Sequence, residues 1–209
     1  SFKDFFLFFG SKSSILKQIG NAVPPLLAYH IAKSIITYSK IKHLKVIDLF
    51  CGAGGLSHGF KDAGCKILAG IDNFKDAIVT YKSNNPDTEA ICDDIKKEST
   101  KFSLYNSVKG TDIDIIIGGP PCQGFSHAGW RIVDDPRNFL FKEFVEIVKK
   151  KKPLFFLMEN VEGILTINEG KTFLSITELF NAMGYAVVGK TLNASEYGVP
   201  QRRKRVFII

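Results

Sequence analysis

The chain has 209 residues, 45% of them hydrophobic, and its 28 lysines and arginines outnumber 21 acids for a net charge of +7. That length builds one sizeable core without requiring two, so a single domain is expected, and the charge leaves two readings open, a polyanionic partner or an ordinary solvated surface. No stretch approaches the ~20 uninterrupted apolar residues of a membrane helix, and the opening SFKDFFLFFG lacks the features of a signal peptide, so a soluble, cytoplasmic protein is expected.

Cys51, Cys65, Cys92 and Cys122 form no CxxC pair and lack the spacing of a zinc site, which predicts free thiols and no metal. The aromatic start, with Phe5, Phe6, Phe8 and Phe9, reads as core, a partner's docking site being the other reading. In QIGNAVPPLLAYHIAKSIITYSK, Pro24 and Pro25 suit a first helical turn and Leu26, Leu27, His30, Ile31 and Ile35 recur at helical spacing. A helix over 23–38 is predicted. Short apolar runs bounded by Gly, Asp, Asn or Pro follow at 45–50, 66–72, 89–93, 112–119, 154–160, 185–192 and 205–209, the pattern of strands covered on both faces. Helical patterns lie between several of them, at 56–64, 73–84, 137–152 and 171–184. This alternation predicts an α/β fold, a mostly parallel central sheet with helices on both faces. The lysines at 149–152 suit a helix's C-terminal end, where the macrodipole favours positive charge.

In VIDLFCGAGGLSHGF a strand runs into Gly52, Gly54 and Gly55 and then into a helix. Such a turn is either a tight connection or a place where backbone N–H groups meet a ligand. Asp72 ends the next strand twenty residues on, where an acid can accept from ribose hydroxyls, and Asp93 and Asp94 end the third, where either can accept from an adenine amino group. The turn is not the GxGxxG of a pyrophosphate site, which favours S-adenosylmethionine over NAD.

The run DIDIIIGG ends on the same sheet edge, so Cys122 in GGPPCQGFS opens a loop above that cofactor; a buried apolar thiol is the competing reading. In LFFLMEN, Glu159 ends an intensely apolar strand, where a carboxyl has a raised pKa and can stay protonated to serve a ring nitrogen. In QRRKR, Arg203 and Arg205 alternate with Arg202 and Lys204, so one face can point into a site and the other toward phosphates. A basic strand edge that discourages aggregation explains the same residues.

Together DLFCGAGG, PPCQGFS, ENV, QRRKR and QIGNAVPP resemble the ordered motif set of the DNA cytosine-5 methyltransferases, over nearly the whole chain. The resemblance implies a Rossmann-like S-adenosylmethionine-dependent fold and methylation of cytosine C5 in duplex DNA. It implies that a flipped base is attacked at C6 by Cys122, with Glu159 holding N3 and the exocyclic amine and Arg203 and Arg205 holding the base and the glutamate. For the cofactor it implies Phe50, Gly52, Gly54, Gly55, Leu56, Asp72, Asp94, Ile95 and Pro120, with Asn21 and Ala22. For the substrate it implies Pro121, Asn160, Val161, Gln201 and Arg203, with Gln123, Ser126, Trp130 and Arg131 on a loop that closes over DNA.

Two departures qualify it. QIGNAVPP precedes the glycine loop, whereas the family usually places it last, so the chain resembles a circularly permuted member, with residues 1–40 as the moved segment and 45–209 as the core. A target-recognition region is also missing from these residues. A second polypeptide, or a longer gene product of a bacterial restriction–modification system, is expected to supply it. Competing readings are a tRNA cytosine-5 methyltransferase, a non-catalytic subunit binding S-adenosylmethionine or nucleic acid, and an NAD-dependent oxidoreductase. The last leaves PPCQGFS, ENV and QRRKR unused.

Overall fold

Successive residues of a strand point to opposite faces, and in Lys45–Leu49 (β1) Val46 joins one buried cluster while Ile47 and Leu49 join another. The computed structural model describes residues 2–121 and 139–209. Among them β1, Lys66–Asp72 (β2), Glu89–Cys92 (β3), Ile115–Gly118 (β4), Phe155–Asn160 (β5), Gly189–Asn193 (β6) and Lys204–Ile208 (β7) form one seven-stranded sheet in the order β3-β2-β1-β4-β5-β7-β6. The first five run parallel, and β7 is antiparallel to both β5 and β6. The expected mostly parallel sheet is present.

The helices are Lys12–Asn21 (α1), Pro25–Ser39 (α2), Gly55–Asp62 (α3), Lys75–Asn84 (α4), Glu98–Ser107 (α5), Phe139–Lys151 (α6) and Lys171–Ala182 (α7). Ile47, Ile116, Phe156 and Val206 pack against Leu104 of α5, Phe144 of α6 and Phe180 of α7, while Val46, Ile115, Leu157 and Phe207 pack against Leu27 of α2 and Phe60 of α3. The result is a three-layer structure with a helix layer on each face. The chain leaves β1 toward β2 and β3, then returns to β4 on the other side of β1. This reversal opens a crevice at the carboxyl ends of β1 and β4.

Helix α2 starts at Pro25 rather than 23, and its buried stripe is Leu27, Ala28, Ala32 and Ile35; Leu26 and His30 face outward. It lies unusually close to α3. A Cβ on Gly55 would collide with the Val23 carbonyl oxygen, and one on Gly59 with that of Pro25.

Four expectations need correction. Helices α1 and α5 were not expected: α1 buries the polar Gln18 while Leu16 and Ile19 face solvent, and the apolar residues of α5, Phe102, Leu104 and Tyr105, do not recur with helical period. The strand expected at 185–192 begins at Gly189, and Tyr185 lies before it, its ring edge-on to Phe156 and its hydroxyl donating to the Pro153 carbonyl at 2.8 Å. Strand β2 keeps its expected bounds of 66–72, and the remaining strands differ by one to three residues at one or both ends. Of the four clustered phenylalanines, Phe6 is buried, its ring edge-on to His58, whereas Phe5 and Phe9 are exposed.

Candidate active site

Leaving β1, the backbone takes left-handed conformations at Phe50 (φ 60°) and Gly52 (φ 51°). Such a conformation is uncommon and costly for a residue with a side chain and concentrates at functional turns. No heavy atom lies within 4 Å of the place a Cβ on Gly52 would occupy, so the main chain there faces open space. Asp72 holds this turn in place, its Oδ2 accepting from the Gly52 N–H at 2.9 Å and its Oδ1 from the Phe74 N–H at 2.8 Å. Burial raises the Asp72 pKa, opposed by these backbone bonds and by the Lys17 ammonium.

The turn opens onto a cavity of about 620 Å³, within the range of small-molecule and cofactor sites. Phe50, Gly52, Gly55 and Leu56 line one side, Asp72 the second strand end, and Asp94 and Ile95 the third. Asp93 turns away, bonded to Lys97 at 2.6 Å and Thr100 at 2.9 Å, and those bonds pull its pKa down to about 2. Of the two acids left open at that position, Asp94 is the one that faces the cavity. Asn21 and Ala22 reach the same cavity from the end of α1, beside Pro120 and Pro121 after β4.

The far wall carries Glu159, Asn160, Val161 and Arg205. Arg205 Nε stands 3.0 Å from Glu159 Oε1, and the Glu159 side chain is 12% exposed. Burial raises the Glu159 pKa while the guanidinium groups of Arg205 and Arg203 pull it back. A carboxyl whose pKa burial raises keeps its proton to higher pH than a free one, and such a group can deliver a proton to a ring nitrogen. Gly119 makes room for it, since a Cβ there would come within 2.8 Å of Glu159 Oε2. Asn160 fixes the end of β5, its Nδ2 donating to the Pro120 carbonyl at 3.0 Å and its Oδ1 accepting from the Val161 N–H at 2.9 Å.

Three expected residues lie elsewhere. Gly54 packs on the Tyr81 ring, Gln201 is exposed, and Arg203 donates from Nη2 to the Gly20 carbonyl at 2.8 Å without lining the cavity. Cys122, Gln123, Ser126, Trp130 and Arg131 fall outside the described residues. Sequence reasoning missed Lys17, Gln18, Asp48 and Phe74, all on the cavity wall. Lys17 sits 4.9 Å over the Phe74 ring. Asp48 is buried in β1, where its Oδ2 accepts from Ser57 Oγ at 2.6 Å, and that hydroxyl lies 2.8 Å from the Tyr81 hydroxyl. Burial pushes the Asp48 pKa up to about 7 despite the bonds from Ser57. An acid inside the apolar run VIDLF was the visible signal. Cys51 also borders the cavity, but burial, then Asp48 and Asp72, push its pKa up and keep the thiol protonated.

The family profile of C-5 cytosine-specific DNA methylases matches residues 44–209. The chain belongs to that family. It is 47% identical over 169 residues to the Type II methyltransferase M1.HphI of Haemophilus parahaemolyticus, an alignment covering 79% of this chain and 45% of that protein. The crystal structure of a prophage-encoded protein of E. coli, described as a DNA modification methyltransferase, superimposes with a TM-score of 0.66 at 36% identity, over 79% of this chain and 45% of that one. The S. pombe Dnmt2 methyltransferase shares the fold, with a TM-score of 0.61 at 22% identity over 79% of this chain and 50% of that one. The chain thus spans less than half the length of M1.HphI and of the E. coli protein.

Proposed function

We propose that this C-5 methylase domain binds S-adenosylmethionine in the cavity at the carboxyl ends of β1 to β4 and serves methylation of cytosine C5 in duplex DNA. One observation carries the reading. A single cavity joins the Gly52–Asp72 turn, suited to a nucleoside, to the Glu159–Arg205 pair, suited to a pyrimidine ring. The residues fit the cofactor: open space beside the Gly52 backbone, a half-buried acid at the second strand end, and Asp94 and Ile95 beyond it. When bound, S-adenosylmethionine supplies an electrophilic methyl group.

The chain's own residues account for the rest. Cys122 Sγ, as thiolate, forms a bond to C6 of the flipped base; the C5–C6 π electrons shift into the ring, and N3 takes the proton held by Glu159. Arg205 fixes the Glu159 carboxyl and accommodates the charge it acquires. Release needs a base to take the C5 proton, the Sγ–C6 bonding pair to return to sulfur, and N3 to give its proton back to Glu159, which restores the Cys122 thiolate and the Glu159 carboxyl to their starting states. Reading of the target sequence is assigned to residues beyond these 209, either in the same polypeptide or in a second one, as befits relatives about twice this length. Those relatives' Type II names favour a modification role.

Two measurements test the proposal. Calorimetric titration with S-adenosylhomocysteine should give one site, weakened in Asp72→Ala. Incubation with S-adenosylmethionine and duplex DNA carrying 5-fluorocytosine, whose fluorine blocks release, should give a denaturation-resistant adduct that Cys122→Ser abolishes. A folded protein that binds no S-adenosylhomocysteine would overturn the reading.

A further inference from the structure

Arg203 joins two parts of the cavity wall that the chain supplies from opposite ends. Its backbone is fixed on both sides: its N–H donates to Asn193 Oδ1 at 3.2 Å, and its carbonyl accepts from the Ala194 N–H at 2.9 Å. Its guanidinium reaches 183 positions back along the chain to the Gly20 carbonyl, 2.8 Å from Nη2. That carbonyl belongs to the last turn of α1, where C=O groups have no partner within the helix and a cation is favoured. Asn21 and Ala22 follow directly, and both line the cavity. Two residues beyond Arg203, Arg205 holds Glu159.

We propose that Arg203 is a positioning residue that sets the cofactor-side wall at Asn21 and Ala22 against the strand bearing Arg205 and Glu159. It acts through the Gly20 carbonyl. The bond also crosses the limit of the family match, since Gly20 lies before residue 44 and Arg203 within 44–209. Removing a charge-assisted bond of this kind takes away the link between the end of α1 and the residue preceding β7, while the bonds of Gln18 Nε2 to the Phe9 carbonyl and of the Phe9 N–H to Thr80 Oγ1, and Lys17 over the Phe74 ring, remain. The inference rests on the cofactor assignment above for its affinity readout, but not for its structural one.

The test compares Arg203→Ala, Arg203→Lys and Lys204→Ala with the unaltered protein by hydrogen exchange and by S-adenosylhomocysteine titration. Arg203→Ala is expected to lose amide protection over residues 18–22 and to bind about tenfold more weakly, the scale of one charge-assisted bond. Arg203→Lys, keeping the charge and one donor, recovers part of both. Lys204→Ala, an exposed cation between the two arginines that does not line the cavity, leaves exchange at 18–22 and cofactor affinity unchanged. A core variant such as Phe180→Leu, matched for loss of melting temperature, separates positioning from general destabilisation by leaving affinity intact. Unchanged exchange at 18–22 in Arg203→Ala overturns the proposal. If the unaltered protein binds no S-adenosylhomocysteine, the cofactor assignment fails, and the exchange comparison still decides the role of Arg203.

Discussion

Arg205 and Glu159 form their ion pair across adjoining antiparallel strands, β7 and β5, with Arg205 Nε 3.0 Å from Glu159 Oε1. The pair sets opposing forces on one proton, because burial raises the Glu159 pKa and Arg205 lowers it. If protonated Glu159 is the working form, activity falls as pH rises through its pKa. Arg205→Ala removes the lowering charge, so the basic limb of the kcat/KM profile should move to higher pH while the rate drops. Glu159→Gln keeps a hydrogen-bond donor but has no proton to transfer, and should cost roughly 10²- to 10³-fold in adduct formation. A basic limb unmoved by Arg205→Ala would show that another group titrates there.

Asp72 has a double task, holding the Gly52 and Phe74 N–H groups and presenting its carboxylate to the cavity. Asp72→Asn keeps one acceptor oxygen yet loses the charge that both backbone bonds and a ribose hydroxyl would use. Cofactor affinity should fall by roughly ten- to a hundredfold, the worth of a hydrogen bond to a charged group. Calorimetry on the folded variant reads this directly, and an affinity within twofold of the unaltered protein would remove Asp72 from the site.

The central strands were legible because a strand buried on both faces is predominantly apolar, as IIIG and FFLM are throughout and VIDLF is except at Asp48. The acids at their ends were legible because an interruption of such a run needs a reason. The edges were not. Strand β6 pairs with one neighbour, β7, and its Gly189–Asn193 sequence need not be apolar, so the more hydrophobic YAVV before it drew the reading away. Helix α1 was hidden for a related reason. Its buried face is Gln18, bonded to the Phe9 carbonyl, while Leu16 and Ile19 face outward, the reverse of an amphipathic surface helix. Lys17 and Gln18 were missed with it, whereas Asn21 and Ala22, named by resemblance as cofactor residues, line the same cavity.

The contact of α2 with α3 depends on glycine for space, not for backbone conformation. A Cβ on Gly59 would collide with the Pro25 carbonyl oxygen and come within 2.5 Å of Ala28 Cβ and 2.6 Å of the Tyr29 nitrogen. Helix propensity alone favours Gly59→Ala by up to about 1 kcal/mol. The collision is with backbone that cannot rotate away, so net destabilisation of about 1–3 kcal/mol is expected. Gly20→Ala is the matched control. Its Cβ meets nothing within 4 Å, so chemical denaturation should show it unchanged or slightly more stable.

Asp48 predicts an unusual dependence of stability on pH. Its folded pKa is raised to about 7 by burial, against about 3.9 for an unfolded aspartate. A raised pKa means that the folded state binds the proton more tightly, so the stabilisation is fully present below about pH 4 and is lost as pH climbs through 7. Across that window the loss approaches about 1.4 kcal/mol per pH unit for one proton. Asp72 and Glu159, also raised, act in the same direction. Asp48→Asn keeps an acceptor for Ser57 Oγ and cannot ionise. Its denaturation free energy, measured from pH 4 to 8, should therefore lack this component, and the difference from the unaltered protein should grow with pH in favour of the variant. Parallel curves would place the Asp48 proton outside this range and leave Ser57 bonded to a permanent carboxylate.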